Sequence, residues 1–178
     1  MSTLDDLQRA LQQQPDKPPI ERWHPPLSGD IDIRIDKRGD WYHEGGRIER
    51  LPLVKLFASI LRREDDGDYY LVTPVEKWRI KVEATPLIAI DMDVITAPEP
   101  QIIFRLNTDE LVVLNDAHPL VVAGKYPDDF PHIMLDRGLS ARLTTAVFYR
   151  LVDVAQSRGS EAIVQSAGRE FAIGRIDR

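Results

Sequence analysis

Residues 30–36 alternate, with Ile31, Ile33 and Ile35 on one side and Asp32 and Arg34 on the other, a period of two that predicts a half-buried strand. Lys37, Arg38, Gly39 and Asp40 supply a polar turn, residues 41–44 return as a second strand, and Gly45-Gly46 turns the chain again. Pro52 suits the first turn of a helix whose apolar stripe is Leu53, Leu56, Phe57, Ile60 and Leu61. The acidic run Glu64-Asp65-Asp66-Gly67-Asp68 ends that helix as a solvated turn and leads into a strand over residues 69–73, which Pro74 stops. Residues 77–82 alternate once more, with Trp78, Ile80 and Val82 against Lys77, Arg79 and Lys81. A strand over residues 87–95 is expected to pair back on it, so that Ile80 faces Ile88, Trp78 faces Ile90 and Lys77 lands opposite Asp91.

The second half repeats this plan. Pro98 and Pro100 interrupt sheet pairing and predict a linker over residues 96–100. Residues 101–106 and 111–115 then read as a hairpin, residues 120–123 as a third strand and residues 126–131 as irregular chain. Ser140 is the expected cap of the longest helix, reaching about residue 156, with Leu143, Val147, Leu151 and Val154 on one side and Gly159 at its end. A last hairpin, residues 161–166 and 170–175, turns at Ala167-Gly168. At the other end Ser2 or Thr3 caps a short helix through Leu4, Leu7 and Leu11, and prolines at 15, 18, 19, 25 and 26 leave an extended arm. Each half thus runs hairpin, helix, hairpin, and Ile33-Arg34-Ile35-Asp36 is echoed by Phe104-Arg105-Leu106-Asn107. The prediction is an α+β fold of two similar small β-rich units, each with a helix, arisen by internal duplication. Its divisions are an arm over residues 1–26, a first domain over 27–96 and a second over 97–178.

Composition narrows the chemistry. The 178 residues include no cysteine, which excludes disulfides, thiolate metal sites and a thiol nucleophile. A net charge of -6 opposes binding to a nucleic-acid polymer, and the absence of a signal-like amino terminus or a long apolar run gives a cytoplasmic, non-membrane expectation. No Gly-rich phosphate loop or nucleophile elbow occurs, and His24, His43, His118 and His132 are dispersed, so no catalytic residue, metal site or cofactor is predicted. Asp91 and Asp93 share a strand face and are expected to form ion pairs with Lys77 or Arg79.

The candidate binding residues are Lys77, Arg79 and Lys81, three cations on one sheet face, preceded by Thr73 and Glu76 and joined by Arg137 and Arg142 at the start of the long helix. Cations and helix N-terminal amides both favour phosphate oxygens, so these residues suit a phosphorylated small molecule. The alternative is an interaction module in which sheet edges and Trp23, Trp41 and Tyr42 dock a protein partner.

Five segments carry a further signal: Trp23-His24-Pro25, Gly29-Asp30-Ile31-Asp32, Trp41-Tyr42-His43-Glu44-Gly45, Leu53-Val54-Lys55-Leu56-Phe57 and Tyr70-Leu71-Val72-Thr73-Pro74-Val75-Glu76-Lys77. Together they resemble the bacterial family known as domain of unknown function 1285, most strongly over residues 23–86. The resemblance implies a duplicated core, a second domain similar to pleckstrin-homology folds, a ligand site where the domains meet, and a nucleotide-like ligand with a role in signal transduction. It brings no catalytic residues. The expected function is a non-enzymatic, ligand-binding regulatory module.

Overall fold

The computed structural model describes residues 4–122 and 131–176. The expected cap at Ser2 or Thr3 and most of the irregular stretch over 126–131 lie outside the described residues. The fold is α+β, and the chain divides into two compact units. One comprises Pro15–Leu87 and Asp136–Leu139; the other comprises Met1–Gln14, Ile88–Leu135 and Ser140–Arg178.

The first unit is a six-stranded sheet with one helix. Its strands are β1 (Gly29–Ile35), β2 (Trp41–His43), β3 (Gly46–Arg47), β4 (Leu61–Arg63), β5 (Tyr69–Val72) and β6 (Lys77–Val82), in the order β3-β2-β1-β6-β5-β4. Helix α2 (Leu51–Ser59) connects β3 to β4, following α1 (Leu4–Gln12) in the chain. Ile33, Ile35, Trp41, Leu61, Leu71 and Ile80 are buried, and the Trp41 ring stacks on Phe57 of α2 with centroids 6.1 Å apart. The alternation read from the sequence therefore points the isoleucines inward as expected. The α2 stripe is shifted, because Val54 is buried, Leu56 is 58% exposed and Leu61 belongs to a strand.

The second unit repeats the sheet. Strands β7 (Leu87–Ile95), β8 (Gln101–Leu106), β9 (Leu111–Val113), β10 (Leu120–Val121), β11 (His132–Met134) and β12 (Ser140–Leu143) lie in the order β10-β11-β12-β7-β8-β9. Each six-stranded sheet is thus two antiparallel three-stranded meanders joined at the centre through the first and last strands, which supports internal duplication. The helices do not occupy matching places. In the second unit α3 (Thr145–Asp153) follows the sheet and leads to a separate meander of β13 (Gln156–Arg158), β14 (Glu161–Ser166) and β15 (Arg169–Arg175). Helix α1 contributes Leu11, which packs on Ile95 and Ile103. Next to α1, the Gln14 side-chain amide pairs with both backbone groups of Leu111 at the β9 edge, accepting from its N–H at 2.6 Å and donating to its C=O at 3.2 Å.

Three sequence expectations are corrected. Strand β6 does not pair with β7; it lies between β5, antiparallel, and β1, parallel, so Trp78 meets Leu71 and Gly29 instead of Ile90. The segment around Pro98 and Pro100 is the turn of the β7–β8 hairpin and not a linker. The long helix from Ser140 is a strand followed by a shorter helix: Thr144 is the cap, its hydroxyl accepting from the Val147 N–H at 3.2 Å. Leu143 keeps four-residue spacing with Val147 and Leu151, so a helical period ran across a strand end. Among the described residues no helix is long and apolar enough to cross a membrane.

Candidate functional site

Strand β6 sets the site, because its odd positions share the sheet face opposite the α2-covered core. Register extends that face across the first unit. Arg47 stands opposite Tyr42, Tyr42 opposite Arg34 and Arg34 opposite Lys81, a row over four adjacent strands. A second row runs Asp30, Arg79, Tyr70, Arg62, and Lys77 sits opposite Val72.

The second row is a closed charge network. Glu64 accepts from Lys77 at 2.8 Å and Arg62 at 2.6 Å, and Arg62 also donates to the carbonyls of Ile20 and Trp23 at 2.8 and 3.0 Å. Arg79 meets Asp30 at 3.0 Å and Asp68 at 3.2 Å, while the Tyr70 hydroxyl bonds to Asp66. Lys77 and Arg79 lie over the Tyr70 ring, 4.7 and 5.6 Å from its centroid. Burial opposes charge on Glu64, but the hydrogen bonds from Lys77 and Arg62 outweigh it and hold its carboxyl below the usual glutamate value. The hydrogen bond from Tyr70 likewise lowers Asp66. The acidic turn of residues 64–68 thus neutralises two of the cations of β6, Lys77 and Arg79.

The first row is more open. Arg34 stacks over the Tyr42 ring, 4.3 Å from its centroid, and pairs with Glu83 at 2.9 Å; Arg47 pairs with Asp40 at 3.1 Å. Asp36 organises the turn below them, accepting from the N–H groups of Arg38 and Asp40 at 2.9 Å and from the Tyr42 hydroxyl at 3.2 Å. Lys81 is exposed and has no ion-pair partner among the described residues.

The predicted site residues therefore have different fates. Lys77, Arg79 and Lys81 share one face, as their spacing requires, but only Lys81 is unpaired. The Thr73 hydroxyl accepts from the N–H groups of Val75 and Glu76 at 3.4 and 3.0 Å and closes the turn before β6, which exposed Glu76 completes by accepting the Thr73 N–H. Arg137 is not at the start of the long helix: it belongs to the first unit, 6% exposed, bound to two carbonyls and Glu21. Arg142 lies within β12 opposite His132, in the other unit, and precedes Thr144, the cap of α3, by two residues, so it flanks the shorter helix from the end of a strand. Asp91 pairs with Arg105 and Arg150 and not with Lys77 or Arg79. Trp41 is buried against Phe57 and is unavailable for docking. Sequence reasoning missed Arg34 and singled out Tyr42 only as a docking aromatic; their common signal was the polar phase of β1 and β2, but joining them to β6 required the parallel pairing.

Comparison with known proteins supports the two-part plan. Residues 18–85 match the model of the N-terminal domain of a domain of unknown function, DUF1285, and residues 86–173 match the C-terminal domain of a protein of unknown function, DUF1285. The chain is similar to the crystal structure of a DUF1285 family protein from Silicibacter pomeroyi DSS-3, with 31% identity, 99% of this chain and 97% of that one covered, and a TM-score of 0.84. It is also similar to a DUF1285 family protein from Shewanella baltica OS155, with 34% identity, coverage of 68% and 90%, and a TM-score of 0.54. No curated protein matches.

Proposed function

Since the chain belongs to the DUF1285 family, of unknown function, we propose that it is a non-catalytic binding module for a small anionic ligand, held on the open polar face of the first sheet. One observation carries the reading: Lys81, exposed and without a counter-ion among the described residues, stands directly beside Arg34 in the parallel β1–β6 register. Like charges at such cross-strand positions repel, and Glu83 compensates only one of them. An anion bridging Lys81 and Arg34 relieves the repulsion and gains charge-assisted hydrogen bonds. The Arg34–Tyr42 stack adds a planar surface of the kind that suits a nucleotide-like molecule. The readout in a regulatory, signalling role is then a change in stability or in partner binding, with no bond made or broken.

Thermal-shift measurements with a panel of nucleotides and phosphorylated metabolites test this. A ligand at about 100 times its dissociation constant contributes roughly 2.7 kcal/mol. For a chain of this size that is a rise in Tm of roughly 5 to 11 °C. Lys81→Ala and Arg34→Ala should each remove the shift. No shift across the panel, or an undiminished one in both variants, refutes the proposal.

A further inference from the structure

Arg137 lies on the segment Asp136–Leu139, which is interposed in sequence between two strands of one unit yet packs as part of the other. Its guanidinium meets three acceptors. Nη2 donates to the Pro18 carbonyl at 2.5 Å, Nη1 to the Ser59 carbonyl at 2.6 Å and Nε to the Glu21 carboxylate at 2.8 Å. Ser59 ends helix α2, where carbonyls lack intrahelical partners and carry the negative end of the helix dipole. The three acceptors span the planar fork of a guanidinium, which presents donors on all three nitrogens; an ammonium is a single point charge.

The segment is fitted around this contact. Arg137 has φ 64, a left-handed conformation unfavourable for a residue with a Cβ, and Leu139 is buried. Gly138, at φ 71, is a tight fit: a Cβ there would lie 3.1 Å from the carbonyl oxygen of Arg63 and force it to give way by a few tenths of an ångström. A backbone held in this form needs compensating contacts, and the socket supplies them.

We infer that the first unit contains a guanidinium receptor built from Pro18, Glu21 and the end of α2, and that Arg137 is its built-in ligand. Two features set this receptor apart from a surface ion pair. Two of its three acceptors are main-chain carbonyls, which cannot be neutralised by protonation, and the ligand group is almost fully buried. A free guanidinium therefore replaces the missing side chain when Arg137 is truncated, because the acceptors stay preorganised.

The test uses the full-length Arg137→Gly variant, in which glycine accepts the left-handed backbone and only the side chain is lost. Its Tm should fall, and millimolar guanidinium or methylguanidinium should restore part of the loss. Potassium chloride at equal ionic strength should not, and wild-type Tm should not rise. Adding Glu21→Gln should shrink the recovery. Equal responses of variant and wild type, or an unchanged Tm on truncation, overturn the inference. A second measurement requires no variant: side-chain NMR of wild-type protein should show resolved, slowly exchanging Nη protons for Arg137, beside those of Arg62, whose guanidinium also meets two carbonyls and a carboxylate. Fast-exchanging, averaged Nη signals from Arg137 would likewise overturn it.

Discussion

Ser166 offers a sharp test of how the second unit is held together. Its hydroxyl is fully buried on β14, accepts a hydrogen bond from the Ile102 N–H of β8 at 2.9 Å and donates to the Leu114 carbonyl at 2.6 Å. One oxygen atom therefore satisfies a donor and an acceptor on separate segments. Ser166→Ala leaves both groups facing a methyl in a water-free environment. A buried group without a partner costs about 1–3 kcal/mol, and removal of the hydroxyl's own desolvation offsets part of the sum, giving an expected loss of about 2–4 kcal/mol. With roughly 2–4 °C per kcal/mol for a chain of this length, Tm should fall by roughly 4 to 16 °C. Urea unfolding should show a lower midpoint with an unchanged m-value, the signature of lost stability without a change in exposed surface. A loss below about 0.5 kcal/mol, the usual range for surface changes, would refute the bridging role.

Two further outcomes follow from the first unit. Glu64 is held below its ordinary value of 4.5, so its contribution to stability is complete above that pH and is lost as pH falls through the lower folded value; Glu64→Gln should flatten that acid limb of a stability–pH profile. Phe57→Ala should destabilise by about 2 kcal/mol, less than a fully buried phenylalanine because the ring is half-buried, and should red-shift Trp41 fluorescence as its stacking partner is removed.

The strands were legible wherever their pattern was local. The alternation of β1, the β8–β9 pair and the closing hairpin of β14 and β15 can be read within a dozen residues. Partner choice was less accessible, because β6 meets β1 in parallel across 49 residues of sequence, whereas a hairpin to β7 needed only a short connection. The helix at residue 140 was misplaced because Ser140 and Thr144 are both competent caps and Leu143 fits either period. For the candidate site, sequence spacing correctly put Lys77, Arg79 and Lys81 on one face but could not reveal which cations would be neutralised from the 64–68 turn. The socket of Arg137 was unreadable in principle: its acceptors lie 78 to 119 residues away and two are main-chain atoms, which leave no trace in side-chain composition.

The assignment of Asp136–Leu139 to the first unit means that this unit is completed late in synthesis. Domains ordinarily fold in turn as they are synthesised. Here residues 15–87 emerge early but wait for a piece encoded about fifty residues downstream, by which time both strands of the β7–β8 hairpin have already been made. A nascent chain arrested before Asp136 would hold all six strands of its amino-terminal sheet but leave the carbonyls of Pro18 and Ser59 without the Arg137 guanidinium.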